Sequence, residues 1–317
     1  TMGGYWMNAK KEQTQKFSFS AVKNIPYRFE AFVSPSIDLS GVQTAIFYNE
    51  PSGRNDTALL RLHQTKHLLS GSFLTETGDY RYLDGIVRND SMFLSAMDGT
   101  HVYYFEAAIS PSRDLRGTFF AGLNYEQAWT ASQHSGFKMR NPETITQLND
   151  SIPFDFSFSD AFGHKTSLSD PRFLNKPVIV SIMGTWCSNC MDEAQFLKEV
   201  YETYHPYGLE IVALDFELIT DSVRAIQNIK RHQENLELKY PILLASLGST
   251  KQKATEKLPA LSSIYSYPTM VVLDHHHNVV RIHTGFTGPA TGEENYDAFR
   301  LEYLGLVRDL VAASHAP

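Results

Sequence analysis

Cysteine is nearly absent from this 317-residue chain: there are two, and both lie in one tetrapeptide, Cys187-Ser188-Asn189-Cys190. A lone pair at this spacing excludes a structural disulfide framework, which uses several pairs to close long loops. It is also a poor structural zinc site, which needs four ligands. The chain has no apolar run approaching the ~20 residues that span a bilayer, no internal repeat and no low-complexity tract. The net charge of −7 gives no basic excess to attract nucleic acid or an anionic membrane. Aromatic residues, by contrast, are plentiful at 12%, enough for real cores. The length fits about two domains of ~150 residues each.

The opening Thr1-Met2-Gly3-Gly4 reads as a cloning remnant, and residues 1–16 are expected to be an unstructured tag. A signal peptide or lipid anchor is expected to have preceded them in the natural protein. A chain whose two cysteines stand together carries no stray thiol elsewhere to be oxidised, which suits an oxidising compartment.

Residues 17–131 read as β-rich. Phe29–Val33, Thr44–Tyr48, Leu59–Leu62, His67–Leu74, Ser91–Ser95, Val102–Ala108 and Leu115–Leu123 alternate apolar and polar residues between Gly, Asp and Asn turns. This pattern predicts an antiparallel sandwich-like or barrel-like domain. Residues 132–150 are polar and read as a connector. From 151 to 314 strands and helices alternate. Phe154–Phe158 is a predicted strand, and Val178–Met183 is a continuous apolar run that fits a strand buried on both faces. A helix is predicted from Cys187 to about His205, a strand at Leu209–Leu214, and a helix capped by Asp221. A short strand at Pro241–Leu244, a helix over Lys251–Leu258, a hairpin of Thr269–Leu273 with Val279–His283, and a terminal helix over Tyr296–Ala312 complete the series. Such a series is an α/β arrangement with a mixed central sheet flanked by helices.

Two thiols three residues apart close a disulfide with little backbone movement. At a helix start, the dipole and free N–H groups favour the thiolate, the reactive form. Redox chemistry is therefore the reading left for Cys187 and Cys190.

The ordered motifs of the C-terminal half resemble the thioredoxin fold, and within it the TlpA/ResA-like extracytoplasmic thiol-disulfide oxidoreductases. The motifs are Phe154–Phe158 through Ser167–Asp170, Lys176-Pro177-Val178-Ile179-Val180 leading to Gly184-Thr185-Trp186-Cys187, the insertion between Leu214 and Pro241, and Tyr267-Pro268-Thr269 before a strand. The β-rich half is similar to domains that precede such modules in Bacteroidetes-type proteins. The resemblance implies Cys187 as nucleophile and Cys190 as resolving thiol. It implies Glu193, three residues after Cys190 and so able to share its helix face, as a buried carboxyl relaying the Cys190 proton, with an exposed glutamate in the first helical turns as the alternative. Ordinary thioredoxins carry an aspartate where Ser181 stands here, and that departure favours Glu193. Pro268 is implied to be cis, presenting the Tyr267 backbone to a substrate strand, although a plain strand-entry proline is the alternative. Trp186 is implied to shape the docking surface, or else to serve only a core.

The Gly285–Pro289 loop is implied to approach the site or to be a simple connector. His275-His276-His277 sits between two strands and reads as a solvated hairpin tip, because neighbouring hairpin residues alternate faces. The implied function is reduction of protein disulfides outside the cytoplasm through a mixed disulfide, with a disulfide oxidase or isomerase as the alternative. A thiol peroxidase fits less well, since Gly184 and Val180 replace that motif's Thr or Ser and its Pro. A Cu(I)-binding module lacks a methionine-rich or cysteine-rich neighbourhood. No cofactor beyond the Cys187–Cys190 disulfide is implied. The implied partners are disulfide-bearing client proteins and a membrane thiol electron donor, with no nucleic acid and with any membrane anchor outside this sequence.

Overall fold

The structure, a computed structural model, describes residues 1–8, 15–23, 28–29, 37–49, 53, 55–122, 124–133 and 136–316. The chain divides into two compact units. One comprises Thr1–Ser72 with Tyr82–Ser135, and the other Phe73–Arg81 with Gly136–Pro317.

The first unit opens with a hairpin of β1 (Met2–Asn8) and β2 (Gln15–Ala21). Residues 1–16 were expected to be an unstructured tag. Among the described ones, Met2–Asn8 pair instead with Gln15–Ala21, and Lys16 Nζ lies 3.7 Å from the Tyr5 ring centroid. The antiparallel strands that follow are β3 (Gly41–Phe47), β4 (Asp56–Thr65), β5 (Leu68–Thr75), β7 (Leu83–Arg88), β8 (Ser91–Met97), β9 (Val102–Ile109), β10 (Leu115–Ala121) and β11 (Tyr125–Ser132), while the two-residue β6 (Gly78–Asp79), paired with the end of β5, falls within the residues that belong to the second unit. Their order is β4-β3-β11-β10-β9-β8-β7-β5-β6, and an added β4–β5 pairing closes eight strands into a barrel. A closed barrel leaves no edge exposed to unwanted pairing. Alternate residues point inward, and Phe47, Phe105, Phe119 and Trp129 fill the interior; the Phe105 and Phe119 rings stack at 4.4 Å. Gly117 shows how tightly the strands curve, since a Cβ there would lie 1.7 Å from the Glu106 carbonyl oxygen. The predicted strand Phe29–Val33 lies outside the described residues beyond Phe29. Strands β7 and β11 had no counterpart in the sequence pattern that was read.

In the second unit, seven strands lie in the order β13-β12-β16-β15-β14-β17-β18. They are β12 (Ser157–Asp160), β13 (Lys165–Ser167), β14 (Val178–Met183), β15 (Glu210–Phe216), β16 (Ile242–Ser246), β17 (Thr269–Leu273) and β18 (Val279–Thr284). Strands β14, β15 and β16 run parallel, while β17 and β18 close the sheet as an antiparallel hairpin. The helices are α1 (Ser188–Tyr204), α2 (Ser222–Leu236), α3 (Lys251–Lys257) and α4 (Glu293–Ser314).

Strand β14 is buried at every position, and its two faces serve two cores. Ile179 and Met183 pack with Phe196, Leu197 and Val200 of α1, Ile229 of α2, and Phe299, Tyr303 and Val307 of α4. Val178, Val180 and Ile182 pack on the opposite side with Ala254 of α3, Phe154, Phe156 and Phe173. The α4 set recurs every four residues, so one stripe of that helix is buried. Each such side chain contributes ~1.5–3 kcal/mol.

Asp221 caps α2 by accepting from Val223 N and Arg224 N. Two boundaries differ from the sequence reading. The predicted strand Phe154–Phe158 begins only at Ser157, because Phe154 and Phe156 are taken into a core before the chain finds a strand partner. The connector 132–150 is partly docked: Ile145 and Thr146 are buried, and Thr146 N donates to Thr284 Oγ1.

Candidate active site

The site lies at the end of β14, where the chain turns through Gly184-Thr185-Trp186 into α1. Cys187 is the N-cap of that helix, with extended backbone, and its Sγ accepts from Cys190 N at 3.2 Å. The two cysteines are joined as a disulfide, their Cα atoms 5.2 Å apart. Cys187 is 6% exposed and Cys190 1%, so Cys187 is the more accessible of the two sulfur-bearing residues. The helix N-terminus stabilises negative charge on the sulfur that caps it.

Glu193 projects from α1 beneath the pair and is fully buried. It meets Ser181 because position 181 on β14 faces the α1 side of the sheet, and the Ser181 hydroxyl donates to Glu193 Oε2. Among the described residues the other oxygen, Oε1, has no hydrogen-bond partner. Burial raises the Glu193 carboxyl to about 8, against the lesser opposing pull of the Ser181 hydrogen bond. Ser181 had been read only as the residue standing where thioredoxins carry aspartate, and its role as partner to Glu193 was missed. The signal was present, since a lone serine within an otherwise apolar buried strand needs a hydrogen-bond partner.

Pro268 follows a cis peptide bond, and the Tyr267 carbonyl oxygen lies 3.4 Å from Cys187 Sγ. Trp186 folds back across the β14 end. Its Nε1 donates to Phe216 O at 3.0 Å, and its ring meets Tyr267 edge-on with centroids 5.5 Å apart. Gly184 makes room for it, as a Cβ at 184 would lie 2.3 Å from the indole nitrogen.

Two acids on β15 and just beyond it were not singled out from sequence. Asp215 Oδ1 accepts from Thr185 N at 3.0 Å, and Glu217 Oε1 accepts from the Thr185 hydroxyl. Burial, reinforced by the charge of Glu217, holds the Asp215 carboxyl well above the usual carboxylate range.

The loop after β18 does reach the site: Gly285 N donates to Pro268 O at 2.8 Å. His275-His276-His277 forms the β17–β18 turn, where Asp274 Oδ1 accepts from His276 N and Asn278 N. Residues 73–81, distant in sequence, also lie against the motif. Asn189 Nδ2 donates to Asp79 O at 3.2 Å, and Arg81 pairs with Asp192 at 2.7 Å.

A mixed sheet flanked by helices, with a dithiol pair at the first helix N-terminus and a cis-proline loop against it, defines a thioredoxin-like domain. Residues 147–299 match the Redoxin family model, in keeping with the thioredoxin-like fold of the C-terminal half. The chain is 27% identical over 143 residues to the thioredoxin-like protein YneN of Bacillus subtilis, covering 45% of this chain and 75% of that one. It is 33% identical over 94 residues to the thiol-disulfide oxidoreductase ResA of Bacillus thuringiensis subsp. konkukian, covering 30% of this chain and half of that relative's length. A solved thiol:disulfide interchange protein of the thioredoxin family from Chlorobium tepidum aligns with 50% of this chain and 94% of its own, at 20% identity and a TM-score of 0.38.

Proposed function

We propose that the protein is a thiol-disulfide oxidoreductase that reduces protein disulfides outside the cytoplasm. The observation that carries this reading is the Cys187–Cys190 disulfide at the α1 N-terminus with the neutralised Glu193 buried beneath it. In the reduced enzyme the Cys187 thiolate attacks one sulfur of a client disulfide. The client S–S bond breaks, a mixed disulfide forms, and the first client sulfur leaves as a thiolate that takes a proton from water. Cys190 then gives its proton to the fraction of Glu193 that is ionised, which grows as pH approaches about 8, and attacks Cys187 Sγ, releasing the second client sulfur as a thiolate. Two electrons have passed from the dithiol to the client, leaving the Cys187–Cys190 disulfide.

A carboxyl raised to about 8 holds and returns a proton near neutral pH, the condition for efficient general acid–base transfer. The Tyr267 carbonyl beside Cys187 offers backbone pairing to an extended client segment, with Trp186 as an aromatic wall. A membrane thiol donor would re-reduce the pair. The scarcity of other thiols in the chain supports an oxidising surrounding.

The test is insulin reduction with dithiothreitol, together with the reduction potential of the pair. Turnover is expected to vanish in Cys187→Ser, and Cys190→Ser should trap a mixed disulfide visible on a non-reducing gel. A potential near or below ~−220 mV agrees with a reductase, while one above ~−150 mV overturns that direction in favour of an oxidase.

A further inference from the structure

The segment Phe73–Arg81 belongs by its contacts to the second unit although it lies in the N-terminal half of the sequence. It is a tight hairpin: Leu74 pairs with Asp79, Thr75 pairs with Gly78, and Thr75 Oγ1 donates to Gly78 O at 2.7 Å. Its tip touches the cis-proline loop, the start of α1 and the loop after β18. On the cis-proline side, Ser266 Oγ donates to Thr77 O at 2.7 Å, one residue before Tyr267. Between the two cysteines, Asn189 Nδ2 donates to Asp79 O. On the third side, Gly288 N donates to Asp79 Oδ2 at 3.3 Å.

The fit is close. A Cβ on Gly78 would lie 2.2 Å from Asn189 Nδ2, and one on Gly285 would lie 2.7 Å from the Thr77 carbonyl carbon. Two ion pairs fasten the hairpin, one at its tip and one at its end. Arg81 binds Asp192, the pair being 21% and 9% exposed, and Arg140 grips Glu76 through Nε and Nη2. Backbone carbonyls received by side chains beside a reactive sulfur, as those of Thr77 and Asp79 are here, are contacts that a bound peptide would also make.

We propose that the Thr77–Arg81 turn is an intramolecular occupant of the client groove, latched by Arg81–Asp192 and Glu76–Arg140, and that it excludes bulky partners from Cys187 until it is displaced. The proposal rests on the oxidoreductase reading for its meaning, since the groove is a client site only if the protein acts on clients. Its geometry stands without that reading. In this view a client competes with the turn for Asn189 and for the Ser266–Tyr267 edge, and specificity falls on segments able to replace it. Small thiols and disulfides need less of the groove and are hindered less.

The experiment uses the full chain with Cys190→Ser, in which Cys187 is the sole thiol. Alkylation of Cys187 is timed with N-ethylmaleimide and with a maleimide carried on a long polyethylene glycol chain. Arg81→Ala is expected to raise the polymer-to-small rate ratio by about five- to twentyfold, the population shift that follows from losing a partly buried ion pair, and Glu76→Ala, which removes a more exposed pair, by about twofold. Arg81→Lys, which keeps the charge, should stay close to the parent. Amide exchange at residues 74–81 should accelerate in the same variants. An unchanged ratio with unchanged exchange in both alanine variants overturns the proposal. Insulin reduction by the same variants with Cys190 intact separates the two ideas. If the ratio shifts but neither parent nor variant reduces insulin, the reductase reading fails and the occluding turn stands. If insulin is reduced and the ratio is fixed, the turn is only structural.

Discussion

Glu193→Gln tests the electrostatics of the site most directly. Burial among the α1, β14 and α4 side chains lifts the Glu193 carboxyl from 4.5 to about 8. One pH unit is worth ~1.4 kcal/mol, so a folded domain with Glu193 ionised carries a penalty of ~5 kcal/mol relative to the acid form. The folded-state value lies above the unfolded one. As pH rises, the unfolded chain therefore releases this proton near 4.5, while the folded domain keeps it until about 8. Stability from this group is full below pH 4.5 and declines by ~1.4 kcal/mol per pH unit up to about 8.

Glutamine has nearly the same shape and no charge to ionise. At pH 5 the variant is expected to lie within ~1 kcal/mol of the parent, a difference set by the altered Ser181 hydrogen bond. At pH 8 it should be more stable by ~3–4 kcal/mol, while insulin reduction slows because Cys190 has lost its proton acceptor. The assay is urea unfolding of the oxidised full chain at pH 5, 6.5 and 8, with the α1 transition followed by hydrogen exchange. Other titrating groups, Asp215 included, are common to both proteins and cancel in the difference. A parent–variant difference that stays flat from pH 5 to pH 8 would refute the reasoning, since Glu193 would then titrate as an ordinary carboxyl.

Two further outcomes follow from the same geometry. Ser181→Ala removes the hydrogen bond that holds the Glu193 value down, so the Glu193 carboxyl resonance in a 13C NMR titration should move to higher pH than in the parent; a move to lower pH contradicts the assigned bond. Gly184→Ala places a methyl on the Trp186 indole nitrogen, breaks its bond to Phe216 O and should destabilise the second unit by ~1–3 kcal/mol, with a shift in tryptophan emission on formation of the disulfide; an unchanged melting temperature would show that the ring relaxes freely.

Much of this protein is carried by local pattern. The apolar run Val178–Met183, the Asp221 cap and the cysteine spacing each state a local preference, and strand β14, helix α2 and the capped α1 follow from them. The alternation in residues 41–121 likewise sets strands whose inward face is apolar, and nothing local opposes it. Where local signals are weak the reading failed. Phe154 and Phe156 have strand-like alternation, yet a core claimed them first. The period of β7 is blurred by the consecutive buried Gly85, Ile86 and Val87, and that of β11 by Gln127, polar yet buried, beside an exposed Ala128.

The sequence by itself narrowed the chemistry: two cysteines three apart, at the junction of a buried strand and a helix, favour thiol–disulfide exchange over the peroxidase and Cu(I)-binding readings. Only the tertiary structure decided the setting of that chemistry. It brought Ser181 under Glu193, Asp215 and Glu217 under Thr185, and residues 77–81 against Asn189 and Ser266. The physical reason is separation along the chain. Cysteine spacing and strand period act over a few residues and are written locally, whereas burial, and with it a carboxyl held at about 8, exists only once strands and helices far apart in sequence have excluded water together.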